Sequence, residues 1–335
     1  MASFQDASIG FGAEATYGTA VTPTRWLEYT TESFGLNKTI KQGVGLRVGS
    51  RVARSGRRVV VTRDGGGTVE LEAVSKGLGL WLQNLIGSAS STLVGTGTTY
   101  QQNFTLADTM PMFTLQRGLP RIDGTVAAHT FVGCTAKSVE FDFAQADILK
   151  IKADVDAQDF QTTPAYTSPS YATGANLFAF AGASMSTGTL TEPTTTALAS
   201  AATSLGMIRG GSVKIDHALK LDRFNAGGAG LKSRPTVGLR AISGKVTVEH
   251  DNTFDWVAAI NAETPMSLVL TWSAGSLSTG NETIQIVLPE IKLDNALPVT
   301  NGTDLITHDV SFQVLDNLTA AQPVWVVVRT ADTAL

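Results

Sequence analysis

The alternation of apolar and polar residues predicts a chain built mainly from β-strands. Its clearest stretch runs from Gly65 to Gly87. Val69 and Leu71 alternate with Thr68, Glu70 and Glu72, which directs the apolar side chains to one face of a half-buried strand. Leu78, Trp81, Leu82, Leu85 and Ile86 follow at helical spacing, with Ser75 placed to cap a short helix and Gly87 to end it. Within Trp26 to Ile40, Phe34 and Leu36 alternate against Ser33 and Asn37. Val139, Phe141 and Phe143 alternate with Ser138, Glu140 and Asp142, and Ile151, Ala153 and Val155 with Lys150, Lys152, Asp154 and Asp156. The last two stretches read as the arms of one hairpin. Met112 to Arg117 is a further strand, Ser88 to Asp108 a Ser/Thr/Gly-rich connection, and residues 1 to 24 an arm ahead of the first core strand.

A second stretch, Gly244 to Glu263, echoes the first. Phe34 and Leu36 match Val213 and Ile215 at an offset of 179, and Lys41 matches Lys220 at the same offset. Arg63 meets Arg240, Gly67 meets Gly244, Val69 meets Val246 and Glu72 meets Glu249 at 177, and Trp81 meets Trp256 at 175. Met266 to Thr271, Ile284 to Leu288, Ile291 to Leu293 and Val310 to Val314 supply a similar later strand set. Few identities support the match, so chance patterning in two unrelated β-rich domains is the competing reading; the shared order of elements argues for a tandem duplication. Residues 162 to 204 are rich in Thr, Ser, Ala, Pro and Gly, with Leu177 to Ala181 as a candidate extra strand. The expected division is therefore a first domain over 1–161, a linker or insertion over 162–204, and a second domain over 205–335.

Composition narrows the classes. With 335 residues, 43% of them hydrophobic, the chain is long enough for two well-buried cores. A net charge of -4 is neither the basic balance of a nucleic-acid binder nor the acidic excess of a disordered tail. The one cysteine, Cys134, excludes an intrachain disulfide framework and a cysteine-rich zinc site, and suits a reducing cytoplasm. Met-Ala-Ser-Phe-Gln-Asp lacks an export signal, and no run approaches the roughly 20 apolar residues of a membrane span, so a soluble chain is expected.

Candidate chemistry is sparse. The histidines, His129, His217, His250 and His308, stand without a nucleophile elbow or a second ligand at metal-binding spacing, and read as surface or packing residues. His250-Asp251 is the nearest to a pair and falls where a helix cap is expected. Gly43 to Gly49 lacks the Gly-Lys-Ser/Thr ending of a phosphate loop. Neither a catalytic constellation nor a cofactor or metal site emerges. The unusual stretch is Lys41 to Arg63, where Arg47, Arg51, Arg54, Arg57, Arg58 and Arg63 stand among four glycines with no acidic residue. It reads as an extended hairpin or flexible loop. It has no aromatic residue of the kind that nucleic-acid readers interleave, which favours docking on an acidic surface of another protein copy.

Residues 10 to 28, Gly-Phe-Gly-Ala-Glu-Ala-Thr-Tyr-Gly-Thr-Ala-Val-Thr-Pro-Thr-Arg-Trp-Leu-Glu, resemble the N-terminal signature of one branch of the tail tube proteins of long-tailed bacteriophages. The order of strand, long arm, strand and short helix is similar too. The resemblance implies a mainly β chain of two tandem tail-tube-like β-sandwich or barrel domains, each with one flanking helix and a long hairpin arm. It implies a virion tail protein, synthesised in the host cytoplasm, that stacks in rings around a channel for the ejected genome. Because family rings are six-fold, a duplicated chain implies trimeric, pseudo-hexameric rings. The partners implied are a tape measure protein, tail terminator or tail-tip proteins, and DNA in transit. On this reading Arg47, Arg51, Arg54, Arg57 and Arg58 make subunit or ring contacts. Glu70, Glu72, Glu140, Asp142, Asp154 and Asp156, on polar strand faces, are the candidate bore lining, where like charge repels phosphate. The competing classes are another β-sandwich virion protein, of the capsid surface or tail end, and a surface adhesin or carbohydrate-binding module, which would need an export signal and exposed aromatic platforms. Aromatic residues make up 7% of the chain and mostly occupy core-type positions.

Overall fold

A computed structural model describes residues 4–49, 51–250, 254–294, 297–298 and 305–335. Its first half contains β1 (Ser8–Ala13), β2 (Arg25–Leu27), β3 (Thr31–Glu32), β4 (Gly35–Gln42), β5 (Arg58–Glu72), α1 (Gly79–Ile86), β6 (Gly87–Leu93), β7 (Tyr100–Leu106), β8 (Phe113–Pro120), β9 (Val126–Ala144), β10 (Lys150–Ala157) and β11 (Asp159–Gln161). The second contains β12 (Ala183–Thr191), β13 (Ser200–Leu205), β14 (Ile208–Asp216), β15 (Ala241–Glu249), α2 (Trp256–Asn261), β16 (Met266–Ser276), β17 (Asn281–Leu293), β18 (Thr307–Val314) and β19 (Trp325–Thr330). The fold is mainly β, as the alternation predicts, and every strand pairing is antiparallel.

One ladder occurs twice. β4 pairs with β5, β5 with β10, β10 with β9 and β9 with β8. In the same relative order β14 pairs with β15, β15 with β18, β18 with β17 and β17 with β16. The flanks match as well. The β1–β2 hairpin lies along the outer edge of β8 as the β12–β13 hairpin lies along β16, and β11 joins β9 as β19 joins β17. α1 and α2 occupy the same interval. The β6–β7 hairpin has no counterpart; β7 closes against β19.

Several local expectations change. Residues 8–13 are not an arm: Ile9 and Phe11 are fully buried in β1, and the segment after it folds over the strand, leaving room only for hydrogen at Gly10, where a Cβ would stand 2.8 Å from Trp26 Nε1. Glu14 holds the turn that follows, accepting from Thr114 Oγ1 at 2.7 Å and from the amides of Gly133 and Gly18 at 2.9 Å each. Ser75 does not cap α1. Its hydroxyl accepts from the amide of Asn176 at 2.9 Å, and Leu78 takes the cap position without a side-chain bond. Gly87 does end the helix, at φ 138°, where any side chain would meet the amide of Ala107. Ser88 to Asp108 is the β6–β7 hairpin rather than a connection, because Ser and Thr accept strand geometry when the backbone ladder is available. Leu177 to Ala181 forms isolated bridges to Val74 and Ile148, followed by a 3₁₀ turn, and not a strand. The expected β9–β10 hairpin is present.

The halves do not carry separate cores. One continuous cluster runs from Ile9, Phe11, Trp81 and Phe113 through Phe141 and Phe143 to Trp272, Ile286 and Val328. Trp81 lies edge-on between Phe11 and Phe113, with centroids 5.1 and 5.6 Å away, and Phe143 meets Trp272 at 5.2 Å across the halves. The reason is the strand β9. Its 19 residues pair with β8, β11 and β10, and its last stretch, Ser138 to Ala144, pairs with β14. Cys134 is buried and free, its thiol pushed well up by burial.

Candidate assembly surfaces

Three surfaces follow from this ladder. The first is the arm. β4 is exposed along its whole length, pairs among the described residues only with β5, and continues into a loop, described over residues 43–49 and 51–57, whose ends meet through the Gly43 amide and the Arg57 carbonyl at 2.9 Å. Alternating small and large residues in Gly43-Val-Gly-Leu-Arg-Val-Gly49 cannot bury a face against their own chain. Val44, Leu46 and Val48 are accordingly 90%, 101% and 100% exposed. Among the described residues, Arg47, Arg51, Arg54, Arg57 and Arg58 form no ion pair. Arg54 donates to the carbonyl of Gly45 at 3.2 Å. Arg63 differs from them, pairing with Asp159 at 3.1 Å. The sequence reading found the charge of this arm and missed its exposed valines and leucine, although their alternation with glycine was visible.

The second surface is the polar face of the sheet β5, β10, β9, β14, β15 and β18. Strand register sets Glu72, Lys150, Asp142, Ser212 and Lys245 in one row across it, and Glu70, Lys152, Glu140, Lys214 and Ser243 in the next. Asp154 lies opposite Thr68 and Ser138 and pairs with Lys137 at 2.8 Å. The carboxylates therefore share one face, but lysines interleave with them in equal number, which makes the face mixed rather than acidic. Asp156 is not open to it. Its side chain is 8% exposed and bound to Lys232.

The third is the segment 217–240, the interval between β14 and β15 that corresponds to the arm. It folds back on the first half. Lys232, 1% exposed, places Nζ 2.5 Å from Asp156 and 3.4 Å from Asp64, while its carbonyl accepts from Gln158 Nε2 at 2.8 Å. Burial raises the Asp156 carboxyl above its usual range, against the pull of the Lys232 ammonium. Gly230 accepts from the Arg63 amide at 3.0 Å, the Arg234 guanidinium donates to the Met110 carbonyl, and that of Arg240 to the Ala107 carbonyl. His217 Nε2 donates to the Leu85 carbonyl at 2.7 Å and Nδ1 accepts from Arg240 Nε at 3.2 Å. Burial holds this imidazole neutral, its pKa lowered to about 4. His217 is thus a packing residue, as the sequence reading had it. His129 lies beside Arg117 and Phe160, and His308 is buried in β18. Asp251 of the His250-Asp251 pair is outside the described residues, and Asp255, not that pair, caps α2 by accepting from the Ala258 amide at 2.8 Å.

Among the described residues no group of three or more His, Cys, Asp or Glu is placed to hold a metal ion, and no helix is long and apolar enough to cross a membrane. The features define a mainly β protein whose arginine-rich arm forms no ion pair among the described residues. Residues 5–314 match the phage tail tube protein family, and the chain belongs to that family. It is a structural, non-enzymatic family whose members build the virion tail. No match is found among curated proteins.

Proposed function

We propose that the chain polymerises into rings of three copies, each supplying two tube modules, and that the rings stack into the hollow tube through which phage DNA is ejected. The observation that carries this is the β9–β14 ladder, seven register pairs from Gly210 and Ala144 to Asp216 and Ser138. It joins the modules within one chain. β14 is the counterpart of β4, and β9 of β17, so the same junction between chains would seat the free edge of β4 beside the second module of the next copy. Alternating inner and outer junctions then close the ring. The first module extends over 1–161, and the second begins at β12, near Ala183, rather than at 205, because the β12–β13 hairpin repeats β1–β2.

In this assembly Glu70, Glu72, Glu140, Asp142 and Asp154 face the bore, where each carboxylate sits beside a lysine and keeps it from gripping phosphate. Asp156 is left out of the lining because Lys232 covers it. Arg47, Arg51, Arg54, Arg57 and Arg58 join copies. The resemblance adds a tape measure protein inside the tube and terminator or tip proteins at its ends.

Electron microscopy of assembled tubes tests the count. Three chains per ring are expected, and six chains per ring would overturn the proposal. Replacing the five arginines by serine is expected to leave folded protomers that no longer form tubes; tubes of normal length would remove the arginines from the interface.

A further inference from the structure

Resting on that ring reading, we infer that the arm of one copy docks laterally in a seat on the second module of its neighbour, and that the internal repeat specifies the residues of that seat. The segment 217–240 and the arm are the same interval of the repeated ladder. One is docked and the other is not. The docked one covers Asp64 on β5, Asp156 to Gln158 at the end of β10, Leu85 at the end of α1, and Met110 before β8. Carrying each position through the repeat gives Ala241, Gln313 to Leu315, Ile260 and Thr264 on the second module.

That second seat is open. Asp156 is 6% exposed and Gln158 half-buried in the first seat, whereas their counterparts Gln313 and Leu315 are exposed, Leu315 at 40%. Leu239, which takes the place of half-buried Thr62, is 95% exposed. A groove of about 560 Å³, lined in part by Ala259, Thr264, Pro265, Pro289 and Glu290, reaches Leu315 through the Glu290 carbonyl, which accepts from the Leu315 amide at 3.0 Å. Each chain thus offers one undocked arm and one uncovered seat, and the strands β5, β10, β9, β14 and β15 stand between β4 and β18, which keeps the arm from the seat of its own chain. The occupant is a second copy.

The chemistry of the two surfaces agrees. The arm presents Val44, Leu46 and Val48 with five arginines that have no ion pair, and the seat presents Leu239 and Leu315 with Glu263, Glu290 and Asp316, which have none among the described residues. One contact transfers residue for residue. Arg234 donates to the Met110 carbonyl, Arg234 corresponds to Arg57 at the offset of 177, and Met110 corresponds to Thr264. Arg57 of one copy therefore reaches the Thr264 carbonyl of the next. The buried ion pair of the first seat is not repeated, because Gln313 and Ala241 replace Asp156 and Asp64. The intermolecular dock is consequently apolar at its centre and ionic only at its rim.

Cysteine pairing tests the seat. In assembled tubes of an Arg57→Cys, Thr264→Cys variant, a bismaleimide about as long as the deleted arginine side chain is expected to link most chains into covalent dimers and trimers on denaturing gels, with neither single variant doing so, since native Cys134 is buried. A second pair, Ala53→Cys with Leu239→Cys, whose counterparts Gly230 and Thr62 meet in the first seat, serves if the first does not assemble. Tubes that form and stay unlinked with both pairs overturn the seat and leave the tube reading intact. Wild-type protein that stays monomeric at high concentration overturns the ring reading, and the seat with it.

Discussion

Lys232→Met separates the contribution of a buried charge from that of packing. Methionine keeps much of the volume and removes the ammonium that stands 2.5 Å from Asp156. The partner carboxylate, 8% exposed, is then left in the interior without a counter-ion, and its Oδ2 already has no hydrogen-bond partner. Breaking such a pair costs about 3–5 kcal/mol, a large share of the roughly 5–15 kcal/mol by which domains are stable. Removing both charges, in Lys232→Met with Asp156→Leu, should recover most of that loss. The pH dependence is diagnostic. A carboxyl whose folded pKa lies above its unfolded value makes the native state bind the extra proton, so it destabilises most at high pH and is relieved as pH falls through the raised folded pKa. Deleting the ammonium raises that pKa further. The loss in the single variant should therefore be greatest at pH 7 and shrink toward pH 5, followed in urea melts of the unassembled protein by tryptophan fluorescence. A loss under about 1 kcal/mol, or one that does not change with pH, would refute the reasoning.

His217 gives the opposite slope. Its neutral form is favoured in the fold, so stability is fully present above its unfolded pKa of about 6.5 and declines as pH falls to about 4, by about 3 kcal/mol in all; His217→Gln should flatten that part of a stability profile measured by chemical denaturation. Glu14→Ala leaves the Gly18 and Gly133 amides and the Thr114 hydroxyl without their acceptor, and should cost about 3 kcal/mol in the same melts, with Glu14→Gln costing less. Phe11→Ala opens a cavity beside Trp81 and should cost about 3–5 kcal/mol, visible also as a shifted tryptophan emission.

What was legible in the sequence was set by local periodicity. β5, β9 and β10 were readable because each has one wet and one dry face, and α1 because its apolar residues recur every three to four positions. The repeated ladder order was readable because those elements recur in sequence. Residues 183–205 were not, since β12 and β13 are Ser- and Thr-rich strands whose place is fixed by pairing with β16 and not by their own pattern. The charged face was half legible. Glu70 and Glu140 could be placed from alternation, but the lysines between them become neighbours only through register. Lys232 carried no local signal. It lies in a stretch of Gly, Ala and Ser, and its burial follows from how that stretch crosses a strand more than 70 residues away. The arm was found by its arginines, while its apolar half shows its meaning only beside the docked segment of the second half.

The length of β9 has a mechanical consequence. One uninterrupted backbone of 19 residues is hydrogen-bonded in turn to β8 and β11, to β10, and to β14 of the other half. A pull along the strand direction that tries to slide one half past the other loads the β9–β14 bonds in parallel, so the rungs must fail together rather than unzip one at a time. Traction thus passes straight through the covalent chain from one half to the other, and the weakest joints under tension are displaced from the middle of the molecule to its rim.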